Sequence, residues 1–120
     1  MELIKYPQKK AEAEIQALLW YFLRKRKIDA RLQVVALNPT RNKRTWKLDL
    51  VVFVDRTAKC IVECKSWQDN YARTAIYRTN NTGQIKKYRA VFGLPVLICA
   101  RMSFIDGTIA EIEKIISNQT

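Results

Sequence analysis

Histidine is absent from the 120 residues and cysteine occurs only three times. Without histidine there is no imidazole base, no Ser-His-Asp triad and no histidine-bearing metal nuclease motif. No Cys-x-x-Cys pair occurs either, which excludes an ordinary structural zinc site. Glycine and proline are also scarce, at three each, and no segment is repetitive or of low complexity, so the chain reads as folded rather than disordered. Acids are few: 11 Asp and Glu stand against 22 Lys and Arg, a formal net charge of +11. No apolar run approaches the roughly 20 residues of a membrane span.

What remains is 48% hydrophobic, enough for one cored domain over residues 1–120 and too short for two. The excess of positive charge calls for a polyanionic partner. Nucleic acid is favoured over a membrane, because no basic amphipathic segment stands apart from the apparent core. Binding that displaces counterions from phosphates should weaken steeply with salt. Cys60, Cys64 and Cys99 fall within predicted strands, where thiols act as small hydrophobes. Their odd number and the lack of a secretion signal lead to the expectation of a reduced, cytoplasmic protein.

The stretch from Trp46 to Ser66 organises the chain. Trp46 to Val54 and Lys59 to Ser66 are β-branched and aromatic-rich, and a polar turn, Asp55-Arg56-Thr57-Ala58, joins them into a predicted hairpin. Alternation puts Asp49, Val51 and Phe53 on one face of the first strand and Ile61, Glu63 and Lys65 on one face of the second. Antiparallel pairing then brings Asp49 to Glu63 and Lys65 at the open end. A carboxylate in an apolar run needs compensation. An ion pair with Lys65, Lys47 or an arginine would supply it; so would a divalent metal, since magnesium takes oxygen ligands from one or two carboxylates plus water and phosphate. A lysine beside such a pair can hold or deprotonate a metal-bound water.

Asp49 followed 14 positions on by Glu63-Cys64-Lys65 resembles the Asp and Glu-x-Lys core of the PD-(D/E)XK, or restriction-endonuclease-like, nuclease superfamily. Leu48 stands where the superfamily name has proline. The resemblance extends to a preceding helix carrying Glu14, to Gln84-Ile85-Lys86-Lys87-Tyr88, similar to the Gln-xxx-Tyr motif of one subset, and to Leu94–Ala100, similar to the strand that closes the core. Three cysteines fall short of the four ligands that the iron-sulfur form of that subset requires.

The resemblance implies an α/β fold with a restriction-endonuclease-like core, a central mixed β-sheet flanked by helices on both faces. It implies a magnesium-dependent endodeoxyribonuclease, with manganese able to substitute. Asp49, Glu63, the Cys64 backbone carbonyl and Glu14 would hold the ion, Lys65 would position the attacking water, and Gln84 and Tyr88 would support them. Glu12 is the reserve for Glu14, which is preferred because Glu14-Ile15-Gln16 matches the usual start of the first core helix. A site-specific enzyme of homing or restriction type, or a junction-resolving one, is expected to work as a homodimer or higher homo-oligomer. The alternatives are a non-catalytic nucleic-acid-binding module, or a subunit whose aromatic residues form a protein interface.

Along the chain, residues 8–27 predict a helix after Pro7, with Ala11, Ile15, Leu18, Leu19 and Phe22 as its buried stripe and Arg24–Lys27 at its carboxyl end. Glu12 is placed nearer the solvent than Glu14. Ala30–Leu37 predicts a strand. The loop after it, with Arg41, Lys43 and Arg44 beside Trp46, suits either a DNA-backbone clamp or a solubilising turn. Trp67 to Thr82 mixes Trp67, Tyr71, Arg73 and Arg78 with amides, which suits nucleic-acid contact or a dimer interface. Thr82 would cap a helix over Gln84–Phe92, whose Lys86 and Lys87 add positive charge, ended by Gly93 and Pro95. Gly107 precedes a last helix, Thr108–Ser117, with Glu111 and Glu113 facing water.

Overall fold

A computed structural model describes residues 3–4, 12–37, 45–65, 83–100 and 102–118, with the side chain of Gln84 outside that description. Helix α1 (Glu12–Lys25) is followed by strands β1 (Asp29–Leu37), β2 (Thr45–Val54) and β3 (Thr57–Cys64), helix α2 (Gly83–Phe92), strand β4 (Val96–Cys99), a 3₁₀ turn (Met102–Phe104) and helix α3 (Ile105–Ser117). The strands form one mixed sheet in the order β1-β2-β3-β4. β1, β2 and β3 run antiparallel in succession, and β4 lies parallel to β3, as a crossover through a helix requires. The fold is thus α/β, with α1 and α3 on one face and α2 on the other.

Local sequence explains most of these elements. Ile15, Leu19 and Leu23 recur every fourth residue and are buried, while Glu12 and Glu14 at the start and Arg24 and Lys25 at the end suit the helix dipole. α1 stops short of the expected Lys27 because the chain turns over. Lys27 has φ 61°, its N–H donates to the Arg24 carbonyl at 3.0 Å, and the Ile28 N–H donates to Leu23 at 3.1 Å. That is a Schellman closure with lysine in the position glycine usually takes. Gly93, at φ 64°, ends α2 in a similar way, its N–H reaching the Arg89 carbonyl at 2.9 Å.

α3 begins earlier than its sequence suggests. Gly107 lies inside the first turn rather than before it, because Ile105 is already buried against the core and Asp106 suits the positive end of the dipole. Glu111 and Glu113 are exposed, and Glu113 pairs with Arg26 at 3.8 Å.

Two apolar layers sandwich the sheet. Leu50, Val52, Cys60, Val62, Cys64 and Cys99 pack under α1 and α3, and Leu48, Val51, Ile61 and Val96 pack under Ile85 and Tyr88 of α2. One irregularity crosses this pattern. Between the pairs Leu32↔Leu50 and Val34↔Leu48 the register does not slip, yet the buried faces exchange. Ala30, Leu50 and Val52 face α1, whereas Val34, Ala36, Trp46 and Leu48 pack on the α2 side. The exchange falls on Gln33 and Asp49. Gln33 has φ 52°, a left-handed conformation that costs a non-glycine residue about 1–2 kcal/mol.

Candidate active site

β2 and β3 are paired from the Asp55–Arg56 turn to Leu50↔Val62 and no further, although β2 runs on to Thr45 and β3 to Cys64. Beyond Leu50, β2 stays with β1 as far as Leu37↔Thr45 and leaves β3. Asp49 sits at the fork. Its carboxylate takes over from the missing ladder: the Cys64 N–H donates to Asp49 Oδ2 at 2.9 Å. The register carried one step past Leu50↔Val62 sets Asp49 against Glu63, so the expected convergence of the two acids is what the backbone produces.

Glu63 is only 4% exposed, and its Oε1 has no hydrogen-bond partner among the described residues. Burial, and after it the negative charge of Asp49, push its carboxyl up from 4.5 to about 7; Lys65 pulls the other way without overcoming them. A hydrogen bond from the protonated Glu63 carboxyl to Asp49 acts in the same upward direction. Neither acid has an ion-pair partner among the described residues. Lys65 follows directly, half-buried, with its backbone N–H fixed on the Cys99 carbonyl at 3.0 Å. An acid pair with one orphaned oxygen and a nearby ammonium is a donor set suited to a hard divalent cation.

No family model, curated protein or solved structure matches the chain. The chemistry of the site therefore rests on its own residues. Cys64, between Glu63 and Lys65, is enclosed, and burial followed by the charges of Cys99, Asp49, Glu63 and Glu12 raises its thiol far above the ordinary range. Burial pushes the Cys60 thiol up to about 12. Both sulfurs stay protonated and serve as packing, not as nucleophiles.

Glu12 is the last and smallest of the charges acting on Cys64, whose side chain faces α1. Glu12 lies three residues before Ile15 and seven before Leu19, in line with the buried stripe, while half-buried Glu14 lies on its flank. Glu12 is nevertheless exposed at the first residue of α1, and Glu14 is the more enclosed of the two, as expected.

The other expected site residues divide into three groups. Tyr88 is buried, in an aromatic cluster with Trp46 (ring centroids 5.2 Å apart) and Phe92 (6.0 Å). Trp46 is therefore committed to the core beneath α2 as well as lying beside the basic loop. Lys86 and Lys87 are exposed on α2, with Lys87 Nζ 5.8 Å from the Trp46 ring centre. Arg41, Lys43, Arg44, Trp67, Tyr71, Arg73 and Arg78, with the expected cap Thr82, lie outside the described residues, as does the side chain of Gln84. The cations closing α1 stand about 20 Å along the helix from Glu12. There Arg24 pairs with Asp29 at 3.3 Å and Lys25 covers the Tyr21 ring.

Sequence reasoning overlooked Gln33, and it read Gln16 only as part of Glu14-Ile15-Gln16. Gln33 Nε2 donates to Gln16 Oε1 at 2.8 Å, tying β1 at the face exchange to α1 one turn beyond Glu12.

Proposed function

We propose that the protein is a magnesium-dependent endodeoxyribonuclease with a restriction-endonuclease-like core, acting in the cytoplasm as a homodimer or higher homo-oligomer on a specific site or a DNA junction. The observation that carries the reading is Glu63: an enclosed acid, one oxygen unpartnered among the described residues, beside a second acid and a lysine where two strands part. Asp49, Glu63 and the Cys64 carbonyl would hold magnesium, or manganese in its place, with Glu12 or Glu14 joining through water. The ion supplies polarisation of the phosphodiester and a water acidified towards neutrality. Glu63 must give up its proton for the site to form, so competence rises with pH through about 7. Lys65 orients the attacking water and offsets charge gathering on the phosphate. Tyr88 braces the floor of the site from α2, and the net charge of +11 draws in the nucleic acid.

Incubation with supercoiled, linear and branched DNA, with and without magnesium, tests this directly. Glu63→Ala and Lys65→Ala should each abolish nicking and leave DNA affinity largely intact; cleavage retained by either refutes the assignment. A persistent monomer in solution mass measurements at physiological salt would refute the oligomer.

A second reading is a nucleic-acid-binding module without catalysis, which the net charge of +11 would serve by itself. DNA binding with no magnesium-dependent nicking would establish it.

A further inference from the structure

One residue outside the strands of both acids stands at the point where the sheet changes, and that residue is Gln33. Gln33 stands opposite Asp49 in the β1–β2 ladder, at the one step of that ladder for which no pairing forms. Its backbone is left-handed in mid-strand, and the sheet's two faces trade places across it. Glutamine has no intrinsic reason to adopt this conformation, unlike glycine or asparagine. Strained backbone of this kind persists where the surroundings over-determine it, and it gathers at functional sites. Two surroundings do so here. The Gln33 amide is held on Gln16 of α1, and the residues beyond the exchange, Trp46 and Leu48, are anchored under α2.

We propose that Gln33 is a positioning residue: its left-handed turn swings the outer half of the β1–β2 hairpin away from β3, which frees Asp49 from the ladder and delivers its carboxylate to the Cys64 N–H beside Glu63. The bond to Gln16 ties the same turn to α1, which carries Glu12. Gln33 thus sets the relation of the helix acid to the strand acids without contacting a ligand. The role of the assembled acids as a metal site rests on the function proposed above; the positioning itself does not.

The experiment compares Gln33→Gly, Gln33→Asn and Gln33→Val. Glycine and asparagine accept the left-handed conformation, whereas β-branched valine resists it. Two readouts are taken on each folded variant: the amide proton shift of Cys64 without metal, which reports its bond to Asp49, and the affinity for manganese from paramagnetic broadening of the same amide. Gln33→Gly and Gln33→Asn should keep the Cys64 shift, while Gln33→Val should lose it and bind manganese about tenfold more weakly or worse, as loss of an outer support to a metal ligand does. If Gln33→Val fails to fold, Gln33→Ala replaces it and should fall between glycine and valine. An unchanged Cys64 shift in folded Gln33→Val, or in Gln33→Ala where valine does not fold, overturns the proposal, and so does equal loss in Gln33→Gly and Gln33→Val. Failure of the unaltered protein to bind manganese would overturn the metal site, and the Cys64 shift alone would then decide the role of Gln33.

Discussion

The β2–β3 hairpin is closed at one end by backbone alone and held at the other by a side chain. At the closed end Asp55 and Arg56 both have positive φ, 50° and 65°, the form of two-residue turn whose twist matches the strands it joins, and pairing resumes at Val54↔Thr57. At the open end the ladder stops and the Asp49 carboxylate substitutes for it on the Cys64 N–H. The closed end needs nothing beyond its neighbours. The open end is backed by β1, by α1 and by the aromatic layer under α2, and the candidate site lies where the β2–β3 ladder has been given up.

Removing that support should have the largest effect. Tyr88→Ala empties a buried aromatic position between Trp46 and Phe92 and is expected to cost about 3–5 kcal/mol in denaturant unfolding. Tyr88→Phe should cost much less.

The second test uses protons. Glu63 is raised from 4.5 to about 7 in the folded state, so the unfolded chain loses its proton first. The stability this group contributes is complete below about pH 4.5 and is lost as pH rises to about 7, a decline of up to about 3 kcal/mol. Glu63→Gln should flatten that part of the profile. Added magnesium should raise the melting temperature of the unaltered protein at pH 8 and leave it unchanged at pH 5; equal shifts at both would break the link between the acid pair and the ion.

Asp49→Ala leaves the Cys64 N–H unpartnered and is expected to cost about 1–3 kcal/mol. It should also lower the pKa of Glu63, measurable by carboxyl carbon resonance. The smallest effect belongs to the closed end. Arg56→Gly relieves a left-handed arginine and should stabilise by about 1 kcal/mol or less, without altering metal affinity or the Cys64 amide shift.

The hairpin is legible in the sequence, but its turn is tighter than the expected Asp55-Arg56-Thr57-Ala58. β3 begins at Thr57, the turn is Asp55–Arg56 alone, and the register shifts between Val52 and Phe53. The open end is legible only in part. Alternation puts Val51 and Phe53 on one side of the sheet with Ile61, but the exchange of faces at Asp49 breaks the expected alternation that joins Asp49 to them. Antiparallel register carried one step past Leu50↔Val62 sets Asp49 opposite Glu63. The exchange of faces at Gln33 leaves no local trace. Glutamine carries no left-handed signature, Leu32, Val34 and Val35 around it read as ordinary strand, and the kink becomes visible only once α1 and α2 claim opposite sides. Glu12 lies nearer the solvent than Glu14, as the sequence suggests, because it stands at the very first residue of α1. Gly107 misled: its backbone freedom suggests a break, but burial of Ile105 outweighs a local preference worth about 1 kcal/mol.

The three enclosed thiols carry a practical consequence. Cys60, Cys64 and Cys99 sit in β3 and β4, fully shielded, with Cys64 registered against Cys99 across the parallel β3–β4 pairing. A sulfhydryl reagent can reach them only when these strands come apart, so the speed at which each is labelled is a built-in clock for the opening of the sheet beside Glu63, with no foreign probe to disturb it.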